Sequence, residues 1–339
     1  MRKPIFIYLF IIFFITACTF SEDNVQDKKR NYKKITLNKV SQFDTQGYII
    51  RMWITNNYVF LSNAATKQIY QYSHDGEMLR KLGKQGVAPW ENGTIWYFAV
   101  SSDQKHYYVQ DYPKLLLKKY DIDTDSIVSY KKVIELRTNC VLMDNDKFVI
   151  PHEDDKGKDY KLGFYDYNNS KFDSYWSLKE HILNYSFDEN PHLWYIFQGD
   201  FCRNSNGQVL HYCFESGVFL LISPDSKTIK VFNDFRNSPI PKSTVENGMI
   251  RLQPKQNVAF CAAMDNIHFY ILITKDGSTK KFANPVLDVY SNTSGKYEYS
   301  IDLPLLDDEQ RPMRIEIHKN NLWVLYENMT VVCYKFTTQ

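Results

Sequence analysis

The chain has no excess of charge of either sign. Its 41 Lys and Arg stand against 39 Asp and Glu, and Arg2 and Lys3 account for the whole difference. A neutral chain has no long-range attraction for a phosphate backbone, which argues against a nucleic-acid partner. Metal and redox signatures are missing too. The cysteines form no Cys-x-x-Cys pair and no Cys/His ligand spacing, so buried thiols acting as small apolar side chains are expected, without a zinc site. Neither a Gly-x-Ser-x-Gly elbow nor a phosphate loop is present, and no catalytic set or cofactor is expected. No apolar run is long enough for a permanent span. The run from Pro4 to Ala17, at about 1.5 Å per residue, reaches roughly 21 Å against a hydrocarbon core of about 30 Å.

That run reads instead as a secretory signal behind the charged Arg2-Lys3. It ends at Ile15-Thr16-Ala17-Cys18, which resembles the lipobox of bacterial lipoproteins. The resemblance implies cleavage after residue 17, acylation of Cys18 and anchoring to a membrane. Residues 18–34 then form a polar tether. Ser21-Glu22-Asp23 resembles the acidic surface-export signal of lipoproteins in the Bacteroidota, so an outer-membrane lipoprotein is expected. The cell surface is its expected location, with a periplasm-facing one as the alternative.

What remains is rich in strand formers. Aromatic residues make up 16% of the chain, with 25 Tyr and 22 Phe, and rings cover a pleated, half-buried surface well. An apolar run closing on a polar turn recurs six times: at Ile69–Tyr72, Leu116–Tyr120, Gly163–Tyr165, Leu220–Ile222, Leu287–Tyr290 and Val331–Tyr334. Upstream of each lies a second hairpin signal, at Asn56-Asn57, Ser102-Asp103, Asp144-Asn145, Asn206-Gly207, Asp265-Asn266 and Asn320-Asn321. Asn, Asp and Gly accept the positive φ of tight hairpins. Two hairpin types in step, about every 50 residues, predict an all-β, six-bladed β-propeller over residues 35–339. The sixth copy lacks its outer strand, and Ile35–Val40 alternates without a blade of its own. Pairing the two closes the ring and removes an exposed edge. A helix is expected only at Ser177–Leu183.

Residues Tyr72 to Gly86, followed by Ala88-Pro89-Trp90-Glu91, resemble a signature of NHL-like and TolB-like six-bladed propeller lipoproteins of the Bacteroidota. In that signature a strand, an Asp-Gly turn and a second strand precede Gly-x-x-Gly-x-Gly-Pro-x-Glu. Ala88 replaces the glycine before proline, and Trp90 takes a position that is usually small. The resemblance implies binding at a surface or in the periplasm more than chemistry.

Three local clusters read as structure. His152-Glu153-Asp154-Asp155 is taken as a solvated loop and Asp121-x-Asp123-x-Asp125 as a hairpin turn. The latter has Ser126 where a calcium loop needs glycine. Cys202 and Cys213 flank the Asn206-Gly207 turn, which leaves a disulfide open. An aliphatic residue followed by Arg or Trp recurs near each blade entry, at Arg51, Trp96, Arg137, Trp194, Arg251 and Arg314. Around a channel mouth these would form a cationic and aromatic rim for anionic or sugar-containing ligands. The expected function is a membrane-anchored propeller that binds a protein or glycan partner without catalysis. The alternatives are a lyase or hydrolase with its site in the central funnel, and a structural subunit of an outer-membrane complex.

Overall fold

The computed structural model describes residues 29–338, apart from 113, 137, 145, 154–157, 183, 191, 227, 276–283 and 308. After β1 (Ile35–Asp44), blade one is built from β2 (Ile49–Ile54), β3 (Val59–Asn63), β4 (Gln68–Tyr72) and β5 (Met78–Leu82). Blade two comprises β6 (Ile95–Val100), β7 (His106–Asp111), β8 (Leu116–Asp121) and β9 (Ile127–Lys132). In blade three β10 (Val141–Leu142), β11 (Lys147–Glu153), β12 (Tyr160–Asp166) and β13 (Lys171–Ser177) follow. A one-turn helix, α1 (Leu193–Phe197), leads into β14 (Gly199–Arg203), β15 (Val209–Cys213), β16 (Val218–Ile222) and β17 (Ile229–Asn233) of blade four. A separate hairpin, β18 (Lys242–Glu246) and β19 (Met249–Gln253), precedes blade five, which contains β20 (Cys261–Met264), β21 (His268–Thr274), β22 (Pro285–Ser291) and β23 (Tyr297–Asp302). Blade six contributes β24 (Pro312–His318), β25 (Asn321–Tyr326) and β26 (Thr330–Thr338).

The ring closes as the sequence predicts. β1 pairs antiparallel with β26, from Ile35 opposite Thr338 to Asp44 opposite Thr330, and becomes the fourth strand of blade six. The strand runs four residues beyond the expected Val40, past a bulge at that residue. Phe43, near its end, stacks on Tyr72 of blade one with centroids 5.3 Å apart. Residues just before β1 are also docked. Arg30 Nε lies 2.8 Å from Asp288 Oδ1, and Tyr32 bridges to Ser300, so blade five holds the last part of the segment read as a tether.

The repeated third strand explains the repeated tyrosine. In blades one, two, three and five a bulge falls at Tyr72, Tyr120, Tyr165 and Tyr290, and each ring is buried. Three of these hydroxyls bond to the connection entering their own blade. Tyr72 accepts from Gln46 N, Tyr120 donates to Trp90 O, and Tyr290 accepts from Phe235 N. One residue type thus fills the gap between blades and ties down the chain above it.

One expectation is corrected, and one question left open by the sequence is answered. Ser177–Ile182 is not helical: Ser177 ends β13, and Leu178 to His181 form a turn; residue 183 lies outside the described residues. The helix lies further on, at α1, where a sequence of five residues rich in rings gives no helical period to read. Cys202 and Cys213 are free thiols. Cys202 pairs with Leu210 whereas Cys213 pairs with Gly199, so the offset in register puts the two side chains on opposite faces of the blade. Cys213 packs with the core of blades three and four, and Cys202 with that of blades four and five. The Asp121 segment is a turn, as expected. Asp121 Oδ1 accepts from Asp123 N at 3.1 Å and from Thr124 N at 2.8 Å.

Candidate functional site: the channel and the connection face

Because all neighbouring strands within a blade are antiparallel, every inner strand starts at the face that carries the connections between blades. The six inner strands β2, β6, β10, β14, β20 and β24 contact their neighbours around the ring and enclose the channel. Three of them carry a bulge at the same place, between Ile49 and Arg51, Ile95 and Tyr97, and Pro312 and Arg314. A bulge re-aims the residues beside it. Here the residues after it, Arg51, Tyr97 and Arg314, occupy equivalent positions near the channel mouth.

Arg51 reaches across the ring from blade one and donates to Asp200 Oδ2 of blade four. Arg314 Nη1 approaches the same oxygen at 3.3 Å, and Asn139 Nδ2 donates to Asp200 Oδ1 at 3.1 Å. Burial pushes the Asp200 carboxyl up, but the two guanidiniums outweigh it and leave it below its ordinary value. At the far end of the same strand Arg203 forms a floor. Its guanidinium donates to Met143 O at 2.5 Å, Leu142 O at 3.2 Å and Val100 O at 2.9 Å, and lies 4.9 Å from the Trp53 ring centroid.

Glu316, two residues beyond Arg314 on β24, sits among these charges. It is half-buried, and among the described residues no group hydrogen-bonds its carboxyl. Burial raises its pKa to about 8, with Asp200 adding to the rise and Arg314, Arg51 and Arg203 opposing it. At neutral pH these described residues therefore give the channel three guanidiniums, one carboxylate and one largely neutral carboxylic acid.

Other reactive residue types are spent on structure. Burial pushes the thiols of Cys140, Cys202 and Cys261 up, so they are protonated and poor nucleophiles. His211 is buried between Tyr160 and Phe201, and its Nε2 lies 3.3 Å from Phe197 O. Desolvation lowers its pKa to about 4. Among the described residues no group of three His, Cys, Asp or Glu could hold a metal ion.

The six rim residues do not form one ring. Arg51 and Arg314 meet at Asp200. Trp96 is the bulged residue of β6; it is exposed and tilts against Tyr112 with centroids 5.3 Å apart. Trp194 belongs to α1 and packs on Tyr160 at 5.7 Å. Arg251 lies on the extra hairpin, 2.9 Å from Glu246. Arg137 and Cys18 lie outside the described residues. Sequence reading missed Asp200, Glu316 and Arg203. An acidic residue inside an apolar strand, as in Gly199–Arg203 or Pro312–His318, was the available signal.

The connection face is also the apolar one. Tyr48, Val87, Trp90, Trp96, Tyr112, Ile134 and Tyr195 are exposed there, whereas among the described turns of the opposite face only Ile267 is a large exposed apolar residue. The 83–94 connection is pinned from below. Lys118, fully buried, donates to Asp111 Oδ2 and to Glu91 O, each at 2.5 Å. Lys114 Nζ adds bonds to Gly86 O, Ala88 O and Glu91 O at 3.0, 2.9 and 2.7 Å. This support holds Val87 out at 94% exposure and Trp90 at 56%. Elsewhere on this face a hollow of about 330 Å³ runs along residues 179–189. That connection packs against the extra hairpin's lead-in, where Tyr185 donates to Pro241 O at 3.0 Å.

These features define a six-bladed β-propeller with a charged channel beneath an aromatic face. The chain resembles the crystal structure of a putative exported protein from Bacteroides fragilis, with a TM-score of 0.58 at 9% identity, over 92% of this chain and 99% of that one. A member of the DUF4221 family from Bacteroides vulgatus is similar at a TM-score of 0.58 and 11% identity, over 91% and 99% of the two chains. Virginiamycin B lyase from Staphylococcus aureus follows the same fold at 0.51 and 10% identity, over 89% and 99%. At such identities the likeness is one of fold. No family model and no curated protein matches the sequence.

Proposed function

We propose that this protein is an exported propeller, anchored to the outer membrane through lipid on Cys18, that binds a protein or glycan partner without catalysis. The observation that carries this reading is the pinned 83–94 connection, which holds Val87 and Trp90 in water at the cost of burying a lysine and an aspartate beneath them. Large apolar groups held out on a fixed support mark a contact surface. The NHL-like and TolB-like resemblance falls on this same connection. The exported protein from Bacteroides among the similar structures agrees with the secretory reading of residues 1–17.

An enzyme with its site in the funnel is the second reading, and Glu316 favours it, because an acid with a pKa of about 8 can donate a proton at neutral pH. Among the described residues it has no second group to work with, since Asp200 is held by two arginines and the nearby thiols are protonated. Cell fractionation tests the anchor: Cys18→Ser should move the protein from the membrane to the soluble fraction. Retention in the membrane would remove the lipid anchor from the account.

A further inference from the structure

We propose that the channel mouth binds the carboxylate of an acidic sugar, with Arg51 and Arg314 as the cationic clamp, Glu316 as a proton-sharing partner and the Trp96–Tyr112 pair as the platform for the sugar ring. The inference deepens the binding function proposed above and rests on it.

The charges select the sign of the ligand. Three guanidiniums face one ionised carboxylate, so the site is cationic at neutral pH. Arg203 is tied down by three carbonyls and the Trp53 ring. Arg51 and Arg314 instead each direct one Nη1 at Asp200, and Arg314 also hydrogen-bonds Cys261; with five N–H donors apiece, both keep donors for a ligand. Their side chains keep 16% and 27% of their surface open to solvent. A planar, two-oxygen anion matches a guanidinium fork better than a spherical one does.

Glu316 narrows the choice. It faces Arg314 from its own strand, Arg51 from β2, Asp200, Cys202 and Arg203 from β14, and Cys261 from β20. With no hydrogen-bond partner among the described residues, and largely protonated at neutral pH, it offers one O–H to a neighbouring carboxylate, a charge-assisted bond of the strong kind. Trp96 supplies the sugar preference. The bulge in β6 turns it out at the mouth, and Tyr112 from the next turn holds its ring at 53°. Exposed rings of this kind stack on the apolar faces of pyranoses.

Tryptophan fluorescence and titration calorimetry with glucuronate, an oligouronate, glucose and sulfate test the site. The expected result is saturable uronate binding, at least tenfold weaker binding of glucose and sulfate, and at least a tenfold loss in Arg314→Gln. Between pH 7 and 9 uronate binding should weaken about tenfold in the parent, as Glu316 ionises and repels the ligand. It should stay flat in Glu316→Gln, a substitution that keeps the fold. Trp96→Ala should weaken the oligouronate more than the monosaccharide. Equal binding of glucose, equal binding of sulfate, or an unaffected Arg314→Gln whose melting curve matches the parent would each overturn the proposal. Partner contact at Val87 is measured separately, so a channel that ignores uronate while that contact persists refutes this inference alone.

Discussion

Replacing Glu316 with glutamine removes an acid that the fold would rather keep neutral, and the effect on stability can be worked out from its surroundings. The carboxyl has an ordinary value of 4.5 and titrates at about 8 in the folded protein. At about 1.4 kcal/mol per pH unit the full difference is at most ~5 kcal/mol. Solvent reaches the half-buried side chain, so about 1–3 kcal/mol is the realistic range. The sign follows from the direction. A group whose pKa is raised by folding stabilises the native state fully below pH 4.5, and that contribution is lost as pH rises through about 8. Glu316→Gln, neutral throughout, should therefore match the parent near pH 4.5 and gain on it steadily up to pH 8. Above pH 8 the gap should level off at about 2–6 °C in Tm. Paired scanning calorimetry of the two proteins from pH 5 to 9, at one scan rate, cancels the titration of every other group. A gap independent of pH would refute the placement of Glu316 among desolvated charges.

Two further substitutions test the frame. Deleting residues 35–40 removes the five pairs from Ile35 to Lys39 along β26, and at about 1 kcal/mol per hydrogen bond it should cost on the order of 5 kcal/mol; a melt like the parent's would remove the closing role of β1. Lys118→Met leaves the buried Asp111 with the Gly93 and Thr94 amides and, among the described residues, a single cation, Lys114 at 3.4 Å, which should cost about 3–5 kcal/mol, with part recovered by adding Asp111→Asn. Denaturant unfolding reads this, and an unchanged midpoint would show that the pair does not hold the 83–94 connection.

The fold was legible because its signals are local. Alternating strands and Asn, Asp or Gly turns specify each hairpin within about ten residues, and the spare strand at Ile35 had one vacant edge to fill. The same logic should have found the extra hairpin. Asn247 and Gly248 both have positive φ, 51° and 76°, between two short alternating strands, which is the strongest short-range hairpin signal. It was hidden inside a proline-marked connection. The site was less legible. Arg51 and Arg314 stand out as residue types, but their shared partner Asp200 is far along the chain from both. Trp96 and Tyr97 are adjacent, and only the bulge decides which faces out and which takes the position equivalent to Arg51. Trp194 and Arg251 fit the same sequence pattern yet sit on α1 and β19, outside the inner strands. Pairing across a ring leaves no trace in local spacing.

The central claim is that the connection face, and not the blade edges, meets a partner at the membrane. A photo-crosslinking residue placed at Val87, 94% exposed on the pinned connection, can be compared with one at Val128, 52% exposed on the outer strand β9. In intact cells the account predicts one discrete adduct from position 87, lost on Trp90→Ala, and none from position 128. Equal labelling at both positions, or an adduct from position 128 alone, would contradict it.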